Sequence, residues 1–143
     1  MQPTLSDMTE KDWQRQVVEL AKTLGYRRPM HIYDSRRSEP GWPDLTLVNT
    51  QKRRFVLLEL KTETGLLSQA QATWIQQLDA VGVEVYVVRP RHLDLLATVL
   101  QARGHPDYPH EDAREDWKDE QMEARHHLLL ERDSLTAKYA IPY

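Results

Sequence analysis

None of the 143 residues is cysteine. The chain therefore forms no disulfide, no thiolate zinc site and no iron–sulfur cluster, and it has no cysteine nucleophile. Any metal must be held by oxygen or imidazole. No run of about 18 apolar residues is present, which excludes a helical membrane span. No positively charged leader followed by an apolar stretch is visible either, so a cytoplasmic protein is expected. There is no internal repeat, and the six histidines show no metal-ligand spacing. Hydrophobic residues make up 40% and charged residues 29%, too apolar a mixture for wholesale disorder. The length suits one domain of roughly 100 to 150 residues with an appended helix.

The formal net charge of −3 argues against a polyanionic partner until its distribution is considered. Residues 1–100 carry 13 Lys/Arg against 12 Asp/Glu, whereas residues 101–143 carry 6 against 10. The acidity lies in the C-terminal part. In the first hundred residues the cations cluster as Arg27–Arg28, Arg36–Arg37, Lys52–Arg53–Arg54 and Arg89/Arg91, beside turns, where they either solvate loops or grip a polyanion.

Asp7 to Leu24 reads as a first helix, with Trp13, Val17, Leu20, Ala21 and Leu24 at 3.6-residue spacing and Gly25 as its stop. Pro29 to Tyr33 suits a short strand. The following polar stretch to Pro43 holds two prolines and a glycine, which forbid regular structure. Asp44 to Val48 and Arg54 to Lys61 read as two strands joined by a hairpin turn. Ser68 caps a second helix, with Gln71 completing a capping box and Leu67 and Ala72 as its hydrophobic staple. Val83 to Val88 is a buried strand, parallel to Arg54–Lys61 because a helix separates them. Leu93 to Ala102 gives a third helix. The expected class is α/β, in the order α-β-β-β-α-β-α, with a mixed central sheet flanked by helices. The domain is expected to span 1–102, followed by a linker over 103–110 and an acidic helical tail over 111–143. Trp117, Ala124 and Leu128 to Leu130 offer that tail only a thin apolar seam.

Side chains two apart on a strand share a face, so Leu57, Glu59 and Lys61 lie together. If Thr50 to Arg53 form the loop, Asn49 pairs with Arg54 and Asp44 falls opposite Glu59. Two carboxylates and a lysine then converge. Taken alone, Glu59 and Lys61 could be a surface salt bridge. A Gly-x-Pro-Asp turn and a capped helix carrying Gln71 favour a phosphodiester-cleaving site, in which the carboxylates bind a divalent cation and the lysine orients or deprotonates water. Oxygen-only ligation suits Mg²⁺ or Mn²⁺.

Pro43-Asp44 with Glu59-Leu60-Lys61 resembles the Pro-Asp…(Asp/Glu)-x-Lys signature of restriction-endonuclease-like nucleases. Ser35-Arg-Arg-Ser-Glu-Pro-Gly-Trp-Pro-Asp44, the run from Glu59 through Gln71 to Trp74, and Gly82 to Pro90 resemble the VRR-NUC (virus-type replication-repair nuclease) family. The likeness covers about residues 9 to 100 and leaves the acidic tail outside it. It implies a Mg²⁺- or Mn²⁺-dependent DNA endonuclease acting in phage or bacterial replication, recombination or repair. Branched DNA such as four-way junctions or flaps would be its substrate. It further implies metal ligation by Asp44, Glu59, the Leu60 carbonyl and Glu10, with Lys61 and Gln71 as catalytic partners. Ser35, Arg36, Arg37 and Ser38 would contact DNA phosphates. A domain this small does not span a four-way junction alone, so a homodimer is expected; a helicase or polymerase partner is not identifiable.

Two of these residues also have local explanations. With Asp7 as N-cap, Glu10 would be the third residue of a capping box, and Gln71 could serve only its own cap. Trp42 and Trp74 suit either base stacking or support of the site. The rivals to the endonuclease are a non-catalytic nucleic-acid-binding module on the same fold and a nuclease of linear duplex or single strands. The acidic tail could also cover a basic cleft as a mimic of DNA.

Overall fold

A computed structural model of the chain describes residues 4–31, 39–108 and 116–139. It shows an α/β protein with a mixed four-stranded sheet and four α-helices. In chain order these are α1 (Glu10–Thr23), β1 (Met30–His31), β2 (Leu45–Asn49), β3 (Arg54–Leu60), α2 (Gln69–Ala80), β4 (Glu84–Val88), α3 (Leu93–Leu100) and α4 (Asp119–Thr136). The spatial strand order is also β1-β2-β3-β4. The first two pairings are antiparallel, whereas β3 and β4 run parallel across the α2 crossover.

The hairpin closes with Asn49 opposite Arg54, and the register runs back to Leu45 opposite Leu58. That alternation sorts β3 onto two cores. Val56, Leu58 and Leu60 join Trp13, Val17 and Ala21 of α1 and the apolar side of α3. Leu57 turns to the other face, against Ala72 and Ile75 of α2.

Helix α1 begins later than the sequence suggests. Its N-cap is Thr9, whose hydroxyl accepts from the Asp12 amide at 3.1 Å. Asp7 instead lies in a short 3-10 turn and accepts from the Thr4 hydroxyl. Glu10 is thus the first helical residue, too early for the reciprocal contact of a capping box.

Helix α4 departs further from expectation. Ala124 and Leu128 are buried in the α1/α3 core, and Arg132 is buried as well. The Arg132 guanidinium donates to the Val85 carbonyl at 3.0 Å and pairs with Asp79 at 3.1 Å. A thin seam suffices because α4 lays it into a groove beside α3 and β4, where each fully buried leucine is worth about 1.5 to 3 kcal/mol. The core therefore extends beyond residue 102.

Another polar anchor is internal. Arg54 and Glu84 pair at 2.7 Å with side chains 0% and 2% exposed, and Arg54 also donates to the carbonyls of Val99 and Ala102 at the end of α3. Arg54 is therefore withdrawn from the set of cations available to a polyanion.

Candidate active site

The site forms where β2 begins and β3 ends. Asp44 precedes β2 by one residue, and its Oδ2 accepts from the Leu60 amide at 2.8 Å. In an antiparallel pair the amide and carbonyl of one residue face the same neighbour. The Leu60 carbonyl therefore points to the same side of β3 as its amide, toward the segment that carries Asp44.

Glu59 is 1% exposed. Its Oε1 accepts from Gln71 Nε2 at 2.9 Å and lies 3.9 Å from Lys61 Nζ, whose side chain is 14% exposed. Among the described residues its Oε2 is buried with no hydrogen-bond partner. Burial, reinforced by the neighbouring Asp44 and more weakly by Glu10, pushes the Glu59 carboxyl up to about 10 against the pull of Lys61. An orphaned carboxylate oxygen beside a second carboxylate is costly unless a proton or a cation occupies the gap.

Gln71 both caps its own helix and touches Glu59. Its Oε1 accepts from the Ser68 amide at 2.9 Å, while Ser68 Oγ accepts from the Gln71 amide, completing the capping box. Because the Ser68 N–H can only donate, the side-chain oxygen must face it, and the NH₂ is left to hold Glu59.

The loop before Asp44 is fitted against the same helix. Gly41 has φ 89°, and a Cβ there would lie 2.6 Å from the Ala70 carbonyl oxygen and 2.7 Å from the Gln71 nitrogen. Only glycine allows this approach. Trp42 meets Trp74 edge-to-face at 5.0 Å and packs on the α2 core, which fits support of the loop. His31 lies on the neighbouring strand; burial lowers its pKa, while nearby Asp44 pulls the other way. Ser35, Arg36, Arg37 and Ser38 lie outside the described residues.

The family profile described as "VRR-NUC domain" matches residues 6–92. The chain belongs to the VRR-NUC domain family. Among curated relatives, human Fanconi-associated nuclease 1 is 41% identical over 54 residues, and the Fanconi-associated nuclease 1 homolog of Schizosaccharomyces pombe is 41% identical over the same length. Those stretches cover 38% of this chain but only 5% and 8% of the relatives. No solved structure matches.

The VRR-NUC span contains every carboxylate, lysine and amide of the site, and α4 lies beyond it. Two cations inside the span prove unlike their sequence reading. Arg89 is buried and pairs with Glu131, and Arg91, itself about half exposed, pairs with Glu63 and Glu131. Arg27, Arg28 and Arg53 are exposed. Spacing identified the first group only as cations near a turn, because their partners are distant in sequence. Among the described residues no three His, Asp or Glu side chains form a complete metal cage. What the site does gather is two carboxylates, Asp44 and Glu59, with the charge of Glu10 at the start of α1 acting on Glu59.

Proposed function

We propose that this chain is a divalent-metal-dependent DNA endonuclease that hydrolyses phosphodiester bonds, with branched DNA such as four-way junctions or flaps as substrate, acting as a homodimer in phage or bacterial replication, recombination or repair. The observation that carries this reading is the convergence of Asp44, Glu59, Lys61 and Gln71 around the buried, unpartnered Glu59 Oε2. Family membership and the likeness to proteins named as nucleases support the same chemistry.

The donors fit Mg²⁺ or Mn²⁺: two carboxylates and a carbonyl are hard oxygen ligands, and the orphaned oxygen is a coordination position left open. Asp44, Glu59 and the Leu60 carbonyl would hold the ion, with the charge of Glu10 close enough to act on Glu59. When bound, such an ion supplies charge neutralisation at the phosphate and acidifies water. Lys61 Nζ, directed by Glu59, orients the attacking water and donates to a phosphate oxygen as negative charge develops. Gln71 holds Glu59 so that its second oxygen stays aimed into the site. Arg27 and Arg28 offer contacts to the DNA backbone away from the carboxylates.

The test is cleavage of a labelled panel comprising a four-way junction, a flap, a splayed arm, a linear duplex and a single strand. Each is incubated with Mg²⁺, Mn²⁺ or EDTA, beside Lys61→Ala and Asp44→Asn. Metal-dependent cutting of branched substrates, lost in both variants, is expected. Tight binding without cutting would leave a nucleic-acid-binding module, and preferential cutting of linear substrates would overturn the branched specificity.

A further inference from the structure

Immediately after Lys61 the chain turns through Thr62 to Gly65, closed by the Gly65 amide donating to the Thr62 carbonyl at 3.3 Å. This turn touches the lysine: a Cβ at Gly65 would lie 3.4 Å from Lys61 Cδ and 3.2 Å from Thr62 Oγ1. Where the turn sits therefore limits where the lysine stem can lie. Two arginines hold it from outside. Arg89 Nη1 donates to the Thr62 carbonyl at 2.5 Å, and Arg91 donates to the Glu63 carboxylate from its amide and from Nη1 at 3.0 and 2.9 Å. Both arginines converge on one oxygen, Glu131 Oε1, at 2.6 and 3.1 Å. Burial opposes charge on Glu131, yet Arg89 and Arg91 outweigh it and hold the carboxyl below the ordinary range.

Glu131 belongs to α4, outside the span that matches the VRR-NUC domain. We propose that Glu131 is a positioning residue for Lys61: it orients the Arg89 guanidinium onto the Thr62 carbonyl, so that the C-terminal helix completes the geometry of the active site. This inference rests on the nuclease reading for its kinetic consequence but not for its structural one. Without Glu131, Arg89 keeps one anchor instead of two, and Arg91 and Arg89 repel each other across the turn. A lysine misplaced by about 1 Å loses its alignment with the attacking water while phosphate binding is retained.

The experiment compares Glu131→Ala, Glu131→Gln and Asp133→Ala in the full chain. Asp133 is also on α4 and pairs with Arg132, so it controls for general loosening of the helix. Glu131→Ala should lower kcat at least about tenfold with KM for DNA nearly unchanged. Glu131→Gln, whose amide oxygen can still accept from Arg89 Nε, should recover part of the loss. Amide hydrogen exchange at Thr62 to Gly65 should quicken in Glu131→Ala and not in Asp133→Ala. Equal kcat in Glu131→Ala and the wild type, or the same loss in Asp133→Ala, would overturn the proposal. If the wild type cuts nothing, the nuclease reading fails and the exchange measurement alone decides whether Glu131 holds the turn. If Glu131→Ala does not fold, Glu131→Asp, which keeps the charge but draws the carboxylate back from Arg89, carries both readouts, and wild-type exchange with wild-type kcat in that variant refutes the proposal.

Discussion

The unpartnered oxygen of Glu59 has a measurable consequence for stability. In the cation-free protein its carboxyl is raised from 4.5 to about 10 by burial and by Asp44, so the folded chain keeps this proton where the unfolded chain releases it. The folded state then binds more protons, and its stability falls as pH rises. The contribution is fully present below about pH 4.5 and is lost progressively up to about pH 10, at about 1.4 kcal/mol per pH unit. At pH 7 the loss from this one group is on the order of 3 kcal/mol. Glu59→Gln carries no such burden, since its amide oxygen can still accept from Gln71 and its NH₂ is available to Asp44. The variant should therefore be more stable than the wild type in EDTA at pH 7, by up to that amount, or on the order of 10 °C in Tm. The two should converge near pH 4. Adding Mg²⁺ or Mn²⁺ should stabilise the wild type and leave the variant unmoved. Thermal and urea unfolding between pH 4 and 9 measure all of this. A gap at pH 7 below about 1 kcal/mol would refute the reasoning, because it would mean that Glu59 carries its charge without a cation.

Other perturbations test other parts of the same construction. Gly41→Ala should cost about 2 to 3 kcal/mol, since the new methyl meets the Ala70 carbonyl in a left-handed backbone; urea unfolding reads the loss, and a near-neutral effect would contradict the close approach. Arg54→Ala leaves Glu84 buried and uncompensated and should destabilise by about 3 to 5 kcal/mol, with less further loss in the Arg54→Ala/Glu84→Ala double variant. Truncation after Arg103 should abolish cooperative unfolding rather than free a DNA cleft, because it removes Leu128 from the core and Arg132 from the Val85 carbonyl; a cooperative transition in the truncated chain would show that α4 is dispensable.

Much of the site was legible because its determinants are local. Alternation on a strand put Glu59 and Lys61 on one face, and a short hairpin loop fixed Asn49 opposite Arg54, which brought Asp44 to the end of β3. Ser68 and Gln71 announced the start of α2 three residues apart, and the intervening helix implied the parallel pairing of β3 with β4. At the head of α1 the sequence reading took Asp7 as the cap where the fold uses Thr9, because an N-cap is decided by which hydroxyl or carboxylate reaches the free amides.

What tertiary structure alone decided is how charges and helix faces are spent. Arg54, Arg89 and Arg91 look alike in sequence, yet one is buried against Glu84 and the other two are joined to Glu63 and Glu131, up to 42 residues away. Gln71 could be read as a cap or as a site residue, and only the fold shows that one amide end meets the Ser68 N–H while the other meets Glu59. The acidic helix reads as an appendage because its apolar seam is thin, but the groove beside α3 and β4 supplies the missing surface. Periodicity and turn chemistry act over a few residues and are written in the sequence. The partner of a charge, and the burial of a marginal face, depend on which distant segments meet, and that is determined only when the whole chain packs.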